Sequence, residues 1–436
     1  MKKLIKTIFK KILPRQLRQY IRAKIHDYRL SRLSDQEIDR ILAKVELASE
    51  SEIPVFIQIN EFDKGGLEEV VLSLISGIEH ESANIKLYLL IVGNQLGYLG
   101  QIAFDILGEG RVILLSHDLK LLDRLQIKVK PKLVNCHYSV FGYQLYQQKN
   151  IKIVDTIHNN YIWLTNERKN FDCAVERFIA VSTQVKQHYA TKFTVAESKI
   201  TVIPNGIDPE RFEITPLDRS AYGFTIDDFI FINVSSFNYN KAHILAVEAF
   251  KQVAQSCPHA KLLFVGNILD QNCFQKVVDK IADYKLENKV KIVNYVPKSM
   301  VYGLLGMADC FLFPSLIEGW SIAVMEAMYM NLPLILTNIG SAQDVIKDDD
   351  VGTIVPTPYS DPIKLTNDDI HNLYSKIENY TNIDLLVNVM NLEIESKKKQ
   401  MLSVSNLSRN KVINEFSLKT MINKYLQLYN EVIKDV

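Results

Sequence analysis

Short apolar runs rich in β-branched residues recur along this chain from Pro54 onward, with longer segments of helical period between them. The first series reads Val55–Ile59, Leu87–Val92, Val112–Leu115, Leu133–Cys136, Ile151–Ile157, Phe178–Val181 and Thr201–Ile203. A second follows at Phe229–Val234, Lys261–Val265, Val290–Val293, Asp309–Phe313 and Leu334–Leu336. Runs without polar alternation suit strands covered on both faces, as in a parallel sheet. The intervening helical segments, such as Ala242–Gln255 and Gln275–Tyr284, then act as right-handed crossovers in a doubly wound α/β arrangement. Pro204-Asn205-Gly206 is a turn-rich divide between the two series. The pattern predicts two Rossmann-like domains facing each other across a cleft, with ligands at the carboxyl ends of the strands.

A length of 436 residues agrees with two domains rather than one core. Cys136, Cys173, Cys257, Cys273 and Cys310 are odd in number and never in CxxC spacing, which argues for a reducing compartment and against a disulfide framework or zinc site. The longest uncharged stretch, Leu87 to Phe104, holds three glycines and several amides. Strand, loop and short helix fit it better than a membrane span.

Charge is unevenly spread. Residues 1–33 carry eleven Lys/Arg and one acid, which leaves 40 basic and 49 acidic groups, a charge of −9, on the rest. An acidic body makes general nucleic-acid binding a poor expectation. The basic segment also has an apolar helical stripe through Ile5, Ile8, Phe9, Ile12 and Leu13, renewed after Pro14 at Leu17, Tyr20, Ile21, Ile25 and Tyr28. It predicts an arm lying on an anionic membrane surface, or packing on the protein's own acidic face or a second copy.

The densest chemical signal is Phe313-Pro314-Ser315-Leu316-Ile317-Glu318-Gly319-Trp320-Ser321-Ile322-Ala323-Val324-Met325-Glu326. A strand ends at Pro314, a loop presents Glu318 beside Gly319, and a helix begins near Ser321, a competent N-cap. Its first turn offers N–H groups and partial positive charge to a diphosphate. Glu326, just over a turn in, can accept from ribose hydroxyls, and Glu318 from sugar hydroxyls. Trp320 reads equally as core or as a stacking surface. Taken singly, the two glutamates read as solvated acids.

The string resembles the Glu-x7-Glu motif of the retaining glycosyltransferases of family four, which have the GT-B fold. Three further segments extend the resemblance over nearly all of the chain after about residue 50. They are Ser182–His188 after the strand Phe178–Val181, the inter-domain Pro204-Asn205-Gly206-Ile207-Asp208, and Phe416–Ile433. The last is similar to the family's C-terminal helix, which crosses back to the N-terminal domain. Beyond the basic arm over 1–33, the resemblance implies an acceptor-side domain over 34–208, a nucleotide-sugar domain over 209–415 and a crossover helix over 416–436.

It also implies roles. Gly65 and Gly66 let a loop approach the donor phosphates and acceptor. Glu69 stands where the family often has arginine. Lys241 matches one member of a basic pair that clamps the diphosphate, and its arginine partner falls at Ser236. Either another group substitutes there, or turnover is slow, or the chain is not an enzyme. His158, ending the strand Ile151–Ile157, is placed near the sugar's hydroxymethyl end, and His137 is a possible further site residue. The nucleobase is expected near Tyr295 and Val296.

The implied reaction is metal-independent transfer of a hexosyl or N-acetylhexosaminyl group from a nucleoside-diphosphate sugar to a hydroxyl, with retention and no cofactor. A cytoplasmic, peripheral enzyme of lipid-linked glycan or surface polysaccharide assembly is the expectation. The alternatives are a nucleotide-sugar 2-epimerase and a non-catalytic homologue serving as a binding or chaperone subunit.

Overall fold

The computed structural model describes residues 33–434 apart from 166–167, 209–213, 215–216, 295, 348–350, 360, 376–379 and 399–405. The arm expected over 1–33, Leu33 excepted, and Tyr295 therefore lie outside the described residues.

The strands are β1 Ile53–Ile59, β2 Ile85–Ile91, β3 Val112–Leu114, β4 Leu133–His137, β5 Lys152–Ile157, β6 Arg177–Ala180 and β7 Ile200–Val202. There follow β8 Phe229–Val234, β9 Ala260–Val265, β10 Val290–Val293, β11 Cys310–Phe313, β12 Leu334–Thr337 and β13 Gly352–Val355. They build a sheet in the order β3-β2-β1-β4-β5-β6-β7 and another in the order β10-β9-β8-β11-β12-β13. Their registered pairs are parallel. Each sheet follows the Rossmann order, and the second reverses direction between β8 and β11, where such sheets bind ligands. Every strand expected from the apolar runs is present within a residue or two. Strand β13 is additional: Gly352-Thr353-Ile354-Val355 holds only two strongly apolar residues and no apolar run marks it.

Five helices matter for the site: α1 Gly66–Glu81, α2 Thr183–Phe193, α3 Lys298–Met307, α4 Ile322–Tyr329 and α5 Leu418–Lys434. Helix Tyr98–Leu107 closes the uncharged stretch after β2, so strand, loop and short helix is what forms there. No helix among the described residues is long and apolar enough to cross a membrane.

The chain divides into two compact units, Met1–Lys64 with Ser82–Ile151, and Gly65–Glu81 with Lys152–Val436. In the first, Val55, Phe56, Ile57 and Ile59 of β1 are buried, with Phe56 edge-on to Tyr88 at 5.8 Å. Gln58, wholly buried among them, donates to the Phe141 carbonyl at 2.9 Å and accepts from the Tyr146 hydroxyl at 2.6 Å. A buried amide so satisfied avoids the penalty of an orphaned one.

In the second unit the six-stranded sheet packs on Phe237, Phe250 and Leu312, among others. On β5, Asp155 pairs with Arg168, which also holds Asp172 at 2.9 Å. The helix expected to cross back is α5. Its start is stitched to the Pro204–Asp208 segment: Ile207 N–H donates to the Phe416 carbonyl at 3.0 Å, and Leu418 N–H to the Ile207 carbonyl at 2.8 Å. A Cβ at Gly206 would strike the Ser417–Leu418 backbone, and one at Gly77 of α1 would strike Ile422 of α5. Small residues at both positions let the last helix seat.

Candidate active site

Strand β11 delivers the motif loop to the carboxyl end of the second sheet, and a set of backbone ties fixes it there. The buried Ser315 hydroxyl donates to the Asn240 carbonyl at 2.9 Å, and Leu316 N–H donates to the same oxygen at 2.7 Å. The Tyr359 hydroxyl donates to the Leu316 carbonyl at 2.6 Å, and that of Thr337 to the Ser315 carbonyl. Asn240 lies in the Tyr239–Lys241 turn that follows β8. Docking that turn on the loop brings Lys241 to Glu318, and their ammonium and carboxylate form an ion pair. Glu318 is 9% exposed, and the Lys241 ammonium also stands 5.5 Å from the Phe313 ring centre. Glu318 is thus a buried, paired acid rather than a solvated one.

His158 follows β5 and meets the same loop. A Cβ at Gly319 would collide with the His158 carbonyl oxygen, so only glycine permits this approach. The His158 N–H donates to the Tyr161 hydroxyl at 3.1 Å. Burial pushes the imidazole down to about 3, which keeps it neutral at physiological pH. It can exchange hydrogen bonds with a sugar but carries no charge to a phosphate.

Helix α4 begins after Ser321, as expected, but the serine side chain makes no capping hydrogen bond. Trp320 is buried, edge-on to Phe416 at 5.0 Å, which places it in packing against the C-terminal segment. Ser236 sits after β8, where its hydroxyl accepts from the Asn238 amide at 3.1 Å. Val296 is half-buried between β10 and α3. His137 ends β4 in the first unit, fully buried.

Glu326 is 1% exposed on α4 and pairs with Lys298 of α3 at 2.6 Å. Burial raises its carboxyl, while the Lys298 ammonium and a hydrogen bond with Tyr302 pull the other way. The pair borders a cavity of about 230 Å³ that is also lined by Glu69, Ser73, Asp208 and Tyr302. The helix opened by Gly66 and the second glutamate of the motif therefore share one cavity. A Cβ at Gly66 would meet open space, whereas one at Gly65 would meet the Glu68 carboxylate.

Lys298 and Tyr302 are site residues that the sequence reading missed. The signal available is their i, i+4 spacing, which sets both on one face of a helix. Among the described residues, no group of three or more His, Cys, Asp or Glu side chains is arranged to hold a metal ion.

Two Rossmann-ordered sheets, with a paired lysine and glutamate at the switch point of the second, define a two-domain α/β protein of the GT-B kind. Comparison with known proteins gives the family. Residues 215–381 match the model described as glycosyl transferases group 1, and residues 64–211 that of glycosyltransferase family 4. The chain belongs to the family-four glycosyltransferases. An Escherichia coli UDP-Gal:alpha-D-GlcNAc-diphosphoundecaprenol alpha-1,3-galactosyltransferase is 24% identical over 299 residues, 67% of each chain. Across the first curated relatives matched, the chain spans between 39% and 67% of their length. A solved glycosyltransferase from Rickettsia africae superposes with a TM-score of 0.67 at 21% identity, over 88% of this chain and all of the other. Anabaena HepE in complex with UDP does so with 0.65 at 15% identity, over 87% of this chain and all of the other. At these identities the superpositions establish the fold.

Proposed function

We propose that this protein transfers a hexosyl or N-acetylhexosaminyl group from a nucleoside-diphosphate sugar to a hydroxyl of a lipid-linked or polysaccharide acceptor, with retention and without a metal. The observation that carries the reading is the Lys241–Glu318 pair at the switch point. It sets a cation for a leaving phosphate beside a carboxylate for sugar hydroxyls. The UDP held by the HepE neighbour and the diphosphoundecaprenol acceptor in the name of the E. coli relative support the choice of donor and acceptor.

In this reading the glycosidic bond to the β-phosphate stretches first, and positive charge builds on the anomeric carbon. Lys241, the first N–H groups of α4 at Ser321–Ala323 and the Gly65-Gly66 loop receive the growing phosphate charge. The departing phosphate takes the proton of the attacking hydroxyl on the same face, which retains configuration and needs no protein nucleophile. Glu318 and neutral His158 hold the sugar, Glu326 the ribose, and Val296 borders the base. Residues 1–33 would bring the protein to the cytoplasmic membrane surface.

Thermal shift with UDP, GDP, ADP, dTDP and CMP species tests the donor. A matching nucleotide at 100 times its Kd stabilises by about 2.7 kcal/mol, and a flat response to all of them rejects the donor site. The anomeric configuration of the product, read by NMR, tests retention, and an inverted product overturns it. A donor-only incubation that yields an epimerised nucleotide sugar would instead identify a 2-epimerase.

A further inference from the structure

Outside the residues just described, one cluster bears directly on the motif loop. Helix α2 begins at Thr183, capped by Ser182, whose hydroxyl accepts from Val185 N–H. Its first two residues grip the segment after β12. Thr183 donates twice to the Asp344 carboxylate, from its N–H at 2.8 Å and its hydroxyl at 2.5 Å. The Gln184 side chain, 8% exposed, makes a two-sided bond: its oxygen accepts from Gly340 N–H at 2.5 Å and its amide donates to the Asn338 carbonyl at 3.3 Å.

What Gln184 grips is the prop of the catalytic loop. Gly340 has a left-handed backbone, φ +60°, and a Cβ there would lie 2.8 Å from the carbonyl oxygens of both Glu318 and Gly319. Gly319 in turn abuts the His158 carbonyl. The order of contact is therefore Gln184, Gly340, Glu318–Gly319, His158. A shift of Gly340 presses on the loop that carries Glu318, because backbone meets backbone from Gly340 to Glu318–Gly319 and on to His158.

We propose that Gln184, assisted by Asp344, is a positioning residue that sets the height of the Glu318–Gly319 loop, and so the alignment of Glu318 with Lys241 and the donor sugar. The proposal rests on the reading of Glu318 as a sugar-holding group. It places Gln184 in control of the chemical step and leaves nucleotide affinity to the Glu326 cavity. Misplacement of a reacting group by an ångström can lower a rate by about 100-fold, so truncation here should reach turnover without reaching UDP.

The test compares wild type, Gln184→Ala and Gln184→Glu by turnover of the preferred nucleotide sugar, by UDP affinity and by amide hydrogen exchange over residues 315–322. Gln184→Ala should lower kcat about tenfold or more, leave the UDP Kd within about twofold, and speed exchange of the loop. Gln184→Glu keeps the acceptor for Gly340 N–H and should recover at least half of the loss on a logarithmic scale. Unchanged kcat and exchange in Gln184→Ala overturn the proposal, as does a parallel fall of kcat, UDP affinity and Tm. If Gln184→Ala does not fold, Asp344→Asn, which weakens the adjacent grip, is read by the same three measurements. Should wild type process no nucleotide sugar, the donor reading fails, while hydrogen exchange still decides whether Gln184 holds the loop.

Discussion

Lys241 and Glu318, 77 positions apart, meet as an ion pair at the mouth of the second sheet. Each is more valuable to the other than to the solvent. Lys241→Met should lower turnover about 100-fold through loss of charge at the leaving phosphate. It should also cost about 1–3 kcal/mol of stability, because Glu318 is left largely buried without its cation. The double variant Lys241→Met/Glu318→Gln should regain most of that stability and none of the activity. Chemical denaturation beside kinetics separates the two, and a double variant as unstable as the single one contradicts the pairing argument.

Glu326 is assigned to the ribose. Glu326→Ala should weaken UDP binding about 10-fold, in line with loss of a charge-assisted hydrogen bond. More tellingly, wild type should prefer UDP to 2′-deoxy-UDP, and the variant should bind both alike. Titration calorimetry with the two nucleotides checks this, and an undiminished preference in the variant places the ribose elsewhere.

How far the site is legible in sequence follows from how its parts are arranged along the chain. Glu318, Gly319 and Glu326 share one strand–loop–helix, so a single string displays them. The strands too are local, since burial on both faces leaves an unbroken apolar run. Lys298 and Gln184 act through partners in remote segments, and their local context (an i, i+4 spacing with Tyr302, a place in the Ser182–His188 segment) does not show what they hold. Gln184 looks like any polar residue in a first helical turn until Gly340 is seen against it, 156 positions away. The burial of Trp320 against Phe416 is likewise a matter of tertiary contact, so its sequence supports packing and stacking equally.

Gly319→Ala tests the close approach to His158. The added methyl must displace the His158 carbonyl, at a cost of about 1–3 kcal/mol, and turnover should fall more than about tenfold as the loop shifts. Thermal denaturation and kinetics read both effects. Wild-type behaviour would mean that the two backbones can part freely.

Stability should depend on acid through the buried histidines. His243 is 1% exposed, stacked on Phe237 at 4.2 Å, and burial pushes it down to about 3. His188, held by the Ile363 carbonyl, is pushed down to about 4, again by burial. Between these values and the ordinary value near 6.5, the unfolded chain binds protons that the folded chain refuses. Stability is therefore undiminished above about pH 6.5 and is lost as the pH falls through the window below it. At pH 5 the loss from His243 alone should be about 2 kcal/mol. His243→Phe should flatten the decline of Tm between pH 7 and 5, and an unchanged slope would show that this histidine does not titrate with unfolding.

Vesicle co-sedimentation tests the basic arm. Full-length protein should pellet with anionic vesicles, not with neutral ones, and should release at high salt, each engaged Lys or Arg contributing about 1 kcal/mol. Protein beginning at Ser34 should stay in the supernatant yet still use a water-soluble acceptor analogue. Equal partitioning of the two would remove the arm as an anchor.

The stitching of Ile207 to Phe416 and Leu418, and of Gly77 to Ile422, has a consequence for how the molecule is made. Helix α1 emerges from the ribosome long before α5, the helix that covers its Gly77 face. At about 5–20 residues per second, that face waits on the order of tens of seconds for its cover. During translation the nascent chain therefore carries an uncovered apolar strip, and a ribosome stalled before Ser417 releases a product that cannot close it. The face of α1 is closed, in the folding sense, only once the chain from Ser417 onward has been made.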